Sequence, residues 1–173
     1  VGALVVIPSA TSAEIEKLAT LLLTKQWRLV TAESCTGGLI AAACTDVAGS
    51  SNWFERGFVT YSNAAKTQML GVPASLIETH GAVSREVALS MAQGALLNSP
   101  AHLAVAVTGI AGPGGGSPEK PVGTVWIATA TQNAPAHAEC FVFTGDRSSV
   151  RAQSVMHALH ALRASAAMVG ESN

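Results

Sequence analysis

The stretch Thr31-Ala32-Glu33-Ser34-Cys35-Thr36-Gly37-Gly38 constrains this chain more than any other. An apolar run from Trp27 to Val30 leads into it, and a helix-favouring run from Leu39 to Val47 leads out. That order predicts a strand, a tight turn and a helix, with a hydroxyl and a thiol side by side at the turn. The two glycines let the backbone approach a ligand closely, and the helix beyond them directs free N–H groups back at the turn. A nucleophile seated there has donors at hand for the oxyanion it would create. Ser and Gly are also common turn residues, so an ordinary strand-to-helix loop is an equal reading of this stretch alone.

The rest of the chain alternates in the same manner. Thr11 and Glu14 fit a capping box for a helix over Ser12–Gln26, with Ile15, Leu18, Ala19, Leu22 and Leu23 on its apolar face. A strand over Arg28–Ala32 enters the turn, and the helix leaving it ends near Gly49. Phe54–Tyr61 predicts a strand, and Ser62 or Asn63 caps a short helix through Leu70 that Gly71 closes. Short and longer helices follow over Ala74–Thr79 and from Ser84 to Leu97, then a buried strand over Leu103–Val107. Thr124–Thr131 and His137–Phe143 predict an antiparallel pair joined by Gln132–Ala136. Asp146 caps the last helix, with Val150, Val155, Leu159 and Leu162 on one face. The alternation predicts an α/β fold: one layered domain over 1–173, ordered over about 8–168, with a mixed sheet of about five strands flanked by helices. Residues 169–173 read as a frayed tail.

A chain of 173 residues can bury one substantial core. Only 12% of it is charged against 49% hydrophobic, which leans towards a surface covered by a second copy, hence a homo-oligomer. The net charge of −1, with no Lys/Arg cluster, argues against nucleic-acid binding, which needs many phosphate contacts. Cys35, Cys44 and Cys140 form neither a CxxC nor a metal-ligand spacing, and an odd count without a framework points to a reducing compartment. The run Ala3–Ile7 is too short for a signal peptide, and no stretch reaches the ~18 apolar residues of a membrane span. The expected location is the cytoplasm.

Two further stretches bear on chemistry. In Tyr61-Ser62-Asn63-Ala64-Ala65-Lys66 the chain's only tyrosine ends a strand and a lysine enters the next helix. A helix N-terminus disfavours a cation, which helps lower a lysine's pKa towards what a general base requires; a solvated surface lysine is the alternative. Thr108-Gly109-Ile110-Ala111-Gly112-Pro113-Gly114-Gly115-Gly116 follows a buried strand, where α/β sheets bind ligands, or is a flexible surface loop. It has neither the Lys-Ser/Thr ending of a P-loop nor Rossmann spacing, which argues against ATP and NAD cofactors. Arg147 and Arg151, one turn apart, either grip a phosphate or are solvated. His157 and His160 lack an evident third ligand, so no metal site is expected. Cys35 competes with Ser34 as nucleophile, but no histidine stands out to activate it, and it reads as packing inward.

Taken in order, Ala32-Glu33-Ser34-Cys35-Thr36-Gly37-Gly38, Tyr61-Ser62-Asn63 with Lys66, Gly81-Ala82-Val83-Ser84, Thr108-Gly109-Ile110-Ala111-Gly112-Pro113 and Lys120-Pro121-Val122-Gly123-Thr124-Val125 resemble the CinA C-terminal family. The resemblance runs over about residues 30–160, and the family includes nicotinamide-nucleotide amidases. It implies hydrolysis of nicotinamide mononucleotide to nicotinate mononucleotide and ammonia, without metal or organic cofactor. The family's serine nucleophile and lysine base fall on Ser34 and Lys66, with Tyr61 close by. Thr36, Gly37, Gly38, Asn63, Thr108, Gly109 and Gly112 are then expected to bind substrate, with N–H groups around Thr36–Gly38 at the oxyanion and Arg147 at the phosphate. Longer members carry an additional N-terminal domain, and this chain is similar to the stand-alone form. Two other functions fit: an N-glycosidase using a carboxylate such as Glu33, and a nucleotide-binding module without turnover.

Overall fold

Residues 9–169 are described by a computed structural model in which five strands alternate with six helices. The run Ala3–Ile7 and the tail beyond Val169 lie outside the described residues. In chain order the elements are α1 (Ser9–Lys25), β1 (Leu29–Glu33), α2 (Leu39–Thr45), β2 (Phe54–Val59), α3 (Asn63–Leu70), α4 (Ala74–His80), α5 (Arg85–Leu97), β3 (Leu103–Gly109), β4 (Thr124–Thr131), β5 (Ala134–Val142) and α6 (Arg147–Met168). No helix among them is long and apolar enough to cross a membrane.

The strands form one mixed sheet in the order β2-β1-β3-β4-β5. β2, β1 and β3 run parallel, with Glu33 opposite Val59 on one side and Val107 on the other. β4 and β5 pair antiparallel beyond β3. Successive side chains of a strand face opposite sides, and β3 uses this fully. Leu103, Val105 and Val107 face α6 and share one core with α1 and α2, while Ala104 and Ala106 face α5. The small residues on the α5 side, Ala32, Ala104, Ala106, Ala128 and Ala130 among them, let that helix lie close to the sheet.

The same closeness sets the position of α3. Gly94, in the last turn of α5, faces the carbonyl of Leu70 at the end of α3, and a Cβ there would stand 2.0 Å from that oxygen. A glycine interior to a helix costs about 1 kcal/mol against alanine, but here only a hydrogen fits. The packing of Leu70 on α5 thereby fixes the helix that carries Lys66.

Several local signals read in the sequence correspond to the observed caps. The side chains of Ser62, Ser84 and Asp146 accept from the N–H groups of Ala65, Val87 and Ser149, and Gly71 closes α3 with φ 70°. The capping box at Thr11 and Glu14 does not form. α1 begins earlier, at Ser9, and the buried Glu14 carboxylate instead pairs with Arg163 of α6. The helix after the turn stops at Thr45 rather than near Gly49. β5 begins at Ala134, so the hairpin loop is Gln132–Asn133 rather than Gln132–Ala136. Pro135 is tolerated because β5 is an edge strand. β2 ends at Val59, two residues before Tyr61.

Candidate active site

The carboxyl ends of the three parallel strands meet where Ser34 follows β1, Thr60 and Tyr61 follow β2, and Thr108 and Gly109 end β3. β1 lies between β2 and β3, so the connections leaving it and returning to its other side diverge there, the place where open α/β sheets hold ligands. A cleft of about 250 Å³ opens at this point. Ser34, Tyr61, Asn63, Lys66, Thr108, Gly109 and Arg147 line it, together with Cys35, Ala82, Val83 and Ala111. Thr36, Gly37, Gly38 and Gly112, also expected to bind substrate, fall outside its lining.

Ser34 continues the β1 ladder by one bond, its N–H donating to Val107 O at 3.0 Å. Lys66, in the second turn's approach of α3, is 1% exposed and its Nζ stands 3.0 Å from Ser34 Oγ. The same Nζ donates to Thr60 O at 3.0 Å and to Tyr61 O at 3.4 Å. Those carbonyls are free because β2 stops before them. Burial lowers the lysine's pKa from its usual 10.5, with the Cys35 sulfur a smaller opposing influence. A neutral amine has two N–H groups and one lone pair. Two of its three neighbours can only accept, which leaves the lone pair for the Ser34 hydroxyl. That is the arrangement of a serine nucleophile and its base.

Cys35 offers no comparable chemistry. It packs into the core between β1 and α6, and burial pushes its thiol up to about 11. The thiolate needed for attack is thus scarce near neutral pH.

Glu33 precedes Ser34 and is wholly buried. One of its oxygens accepts from Gly38 N–H at 3.0 Å and Ile40 N–H at 3.1 Å, the other from Ala41 N–H at 2.9 Å. The carboxylate therefore closes the N-terminus of α2, in keeping with the positive end of a helix. Two of the donors expected to serve an oxyanion are occupied: Gly38 by Glu33, and Gly37 by the carbonyl of Ser34 at 3.0 Å.

At the mouth, Arg147 donates to Gly112 O at 3.0 Å and to the Tyr61 hydroxyl at 3.3 Å. Tyr61 is 62% exposed, so its ring borders the opening rather than reaching the Ser34–Lys66 pair. Thr108 is buried and donates to Ala82 O at 2.8 Å, holding one wall in place. Lys120 ties the glycine-rich loop to the same wall through His80 O at 2.9 Å. Arg151 does not point to the mouth. Its Nε donates to Cys35 O at 3.1 Å and its Nη2 to Thr36 O at 3.2 Å, across 116 residues of chain. No local pattern distinguishes this arginine from Arg147, one turn before it. His157 meets Phe141 edge-on and Phe143 at a tilt, with His160 beside it, and among the described residues no three His, Cys, Asp or Glu side chains converge as metal ligands.

The CinA C-terminal domain family model matches residues 11–166. This chain belongs to the CinA C-terminal domain family. Within the family it is 56% identical over 134 residues to nicotinamide-nucleotide amidohydrolase PncC of Escherichia coli (strain K12), covering 78% of this chain and 81% of that protein. It is 53% identical over 143 residues to nicotinamide-nucleotide amidohydrolase PncC of Enterobacter agglomerans, covering 83% of this chain and 87% of that one. Among solved structures, the competence/damage inducible protein CihA from Agrobacterium tumefaciens superposes with a TM-score of 0.90 at 48% identity, covering 92% of this chain and 97% of that chain.

Proposed function

We propose that this CinA-family chain is a nicotinamide-nucleotide amidase that hydrolyses the carboxamide of nicotinamide mononucleotide, with Ser34 as nucleophile and Lys66 as its base. The 3.0 Å approach of a buried, pKa-lowered Lys66 Nζ to Ser34 Oγ supports the chemistry most directly. The substrate class comes from the names of the enterobacterial relatives.

Neutral Lys66 takes the hydroxyl proton as Ser34 Oγ bonds to the carboxamide carbon, leaving an oxyanion. The resulting ammonium then gives its proton to the amide nitrogen as the C–N bond breaks, and ammonia departs from a nicotinoyl ester on Ser34. Water attacks that ester with Lys66 again as base, releasing the carboxylate and restoring the serine. Thr60 O and Tyr61 O accept from the amine in both its neutral and its protonated form and so hold it in place through both half-reactions. Arg147 is assigned to the substrate phosphate, since it is the cation at the cleft's mouth.

An N-glycosidase using Glu33 has no geometric support, because that carboxylate is buried and saturated by three backbone donors. Incubation of the purified protein with nicotinamide mononucleotide, read by coupled ammonia detection and chromatography, is expected to give nicotinate mononucleotide. Release of nicotinamide would make it a glycosidase, and binding without turnover a nucleotide-binding module.

The homo-oligomer expectation belongs to this proposal and is supported by large apolar side chains on the surface, Leu97, Val142 and Leu23 among them. Light scattering that finds only monomers would overturn it. The cytoplasmic location rests on three free thiols, Cys35, Cys44 and Cys140. A net charge of −1 underlies the expectation that nucleic acid is not a partner.

A further inference from the structure

We propose that Arg151 is a positioning residue that sets the oxyanion hole of the Ser34 reaction, acting through the peptide units it holds. This rests on the Ser34 nucleophile proposed above.

Two peptide units follow Ser34, and the carbonyl of each is tied down. Ser34 O accepts from Gly37 N–H at 3.0 Å, and Cys35 O accepts from Arg151 Nε at 3.1 Å. The next carbonyl, Thr36 O, accepts from Arg151 Nη2 at 3.2 Å. In a trans peptide the C=O and N–H point in opposite directions. Holding the Cys35 carbonyl against the guanidinium therefore aims the Thr36 N–H away from α6, and holding the Ser34 carbonyl likewise orients the Cys35 N–H. Neither N–H has a backbone or side-chain oxygen acceptor among the described residues. Buried N–H groups are seldom left unpaired. Cys35 lines the cleft directly after the nucleophile, so its N–H suits a ligand oxygen, while Thr36 is wholly buried behind it.

The other donors near Ser34 are spoken for. Gly38, Ile40 and Ala41 serve Glu33, and Gly37 serves Ser34 O. The N–H of the residue after a nucleophile is also the position that serves as an oxyanion donor in other strand-turn-helix sites. Arg151 adds to this in two ways. Its fork fixes two carbonyls at once, which removes freedom from the turn before reaction. Its charge-assisted bond to the Cys35 oxygen is also stronger than a neutral one, which holds the cleft-lining Cys35 firmly in place. It lies outside the cleft's lining, so its effect passes through the backbone and not through substrate contact.

The test compares Arg151→Gln and Arg151→Lys with the unaltered protein. Turnover of nicotinamide mononucleotide is measured alongside binding of two probes: nicotinate mononucleotide, and the substrate analogue with an aldehyde in place of the carboxamide. With the aldehyde, Ser34 Oγ adds to the carbonyl carbon, its proton passes to Lys66, and the carbonyl oxygen becomes the oxyanion; no group leaves. Arg151→Gln should lower kcat by roughly 10²-fold, the scale of one lost oxyanion donor. KM should stay within about 3-fold, as for an interaction made only in the transition state. Aldehyde affinity should fall in step with kcat while nicotinate mononucleotide binds as before. Arg151→Lys, keeping one donor and the charge, should recover part of both losses. Equal losses for the two probes, or a kcat near that of the unaltered protein, would overturn the assignment. If Arg151→Gln does not fold, Arg151→Lys decides alone: a parallel drop in kcat and aldehyde affinity supports the role, and no drop in either overturns it. Unaltered protein that neither turns over the nucleotide nor prefers the aldehyde to the acid would overturn the Ser34 nucleophile itself, and Arg151's role with it.

Discussion

Lys66 Nζ lies 3.0 Å from Ser34 Oγ although 32 residues separate them. The contact joins the start of α3 to the end of β1, and the packing of α3 on α5 at Gly94 holds it. A buried amine without a carboxylate partner is costly to keep charged. Its neighbours are two carbonyls and a hydroxyl, so the site favours an amine that gives and takes one proton.

Activity should therefore rise with pH as Lys66 loses its proton, through a value below 10.5, and then level off. Lys66→Arg keeps a cation but gives up the proton exchange, and should lose roughly 10²-fold or more in kcat with a much smaller change in KM. The stability effect has a definite sign. Because the folded pKa is lowered, the unfolded chain binds more protons between that value and 10.5, so Lys66 makes stability rise with pH across this window. Lys66→Met has no such titration. Its melting temperature minus that of the unaltered protein should shrink as pH is raised towards 10.5, and a constant difference would mean Lys66 is not shifted.

Ser34→Ala should remove nearly all turnover, whereas Cys35→Ala should keep most of it. The thiol is buried and its pKa stands at about 11, so thiolate is a small fraction at neutral pH. Iodoacetamide near pH 7 should label the exposed Cys140 well before Cys35. Inactivation that tracks labelling of Cys35, together with an active Ser34→Ala, would reverse the roles.

What the sequence disclosed and what it hid divide along the distance between partners. Ser62, Ser84 and Asp146 cap helices through N–H groups three residues on, so residue type and spacing carry the information. The five-stranded mixed sheet follows from short apolar runs set between helical ones. Thr11 and Glu14 had the spacing of a cap, yet Glu14 is drawn to Arg163, 149 residues away, and no local pattern announces that. The site shows the same divide. Ser34, Lys66 and the glycine-rich loop stand out by their local setting at strand ends and a helix start, the family resemblance implies their roles, and their placement around one cleft is a matter of strand order. The duties of Glu33 and Arg151 depend on backbone groups brought near only by folding, and the glycines after Ser34 shape the turn with φ of 59° and 99° while their N–H groups point elsewhere.

Glu33 should prove a structural carboxylate. In Glu33→Gln one acceptor oxygen becomes an NH2 group that meets the N–H donors of α2 head-on, at Ala41 or at Gly38 and Ile40. Each buried donor left unsatisfied costs about 1–3 kcal/mol, so a loss of about 2 kcal/mol or more is expected. Urea unfolding followed by circular dichroism should show a lower midpoint with an unchanged slope. An unshifted midpoint would mean that the carboxylate is not what holds the start of α2.

Arg147 tests how the cleft's mouth contributes. Its guanidinium bridges Gly112 O and the Tyr61 hydroxyl and makes no bond to Ser34 or Lys66. If it grips the phosphate, its contribution is the same in the ground state and the transition state. Arg147→Ala should then raise KM by about 10-fold or more while kcat changes little, the signature of lost uniform binding. The effect should depend on the phosphate itself. With nicotinamide riboside, which has no phosphate, the unaltered protein and Arg147→Ala should show kcat/KM values within a few-fold of each other. Raising the salt concentration should weaken nucleotide binding to the unaltered protein and have less effect on the variant, since screening acts on an exposed charge pair. A variant whose kcat falls while KM holds would move Arg147 from substrate anchoring to the reaction itself. An equal loss with nucleotide and riboside would assign it instead to keeping Tyr61 and the Gly112 loop in place.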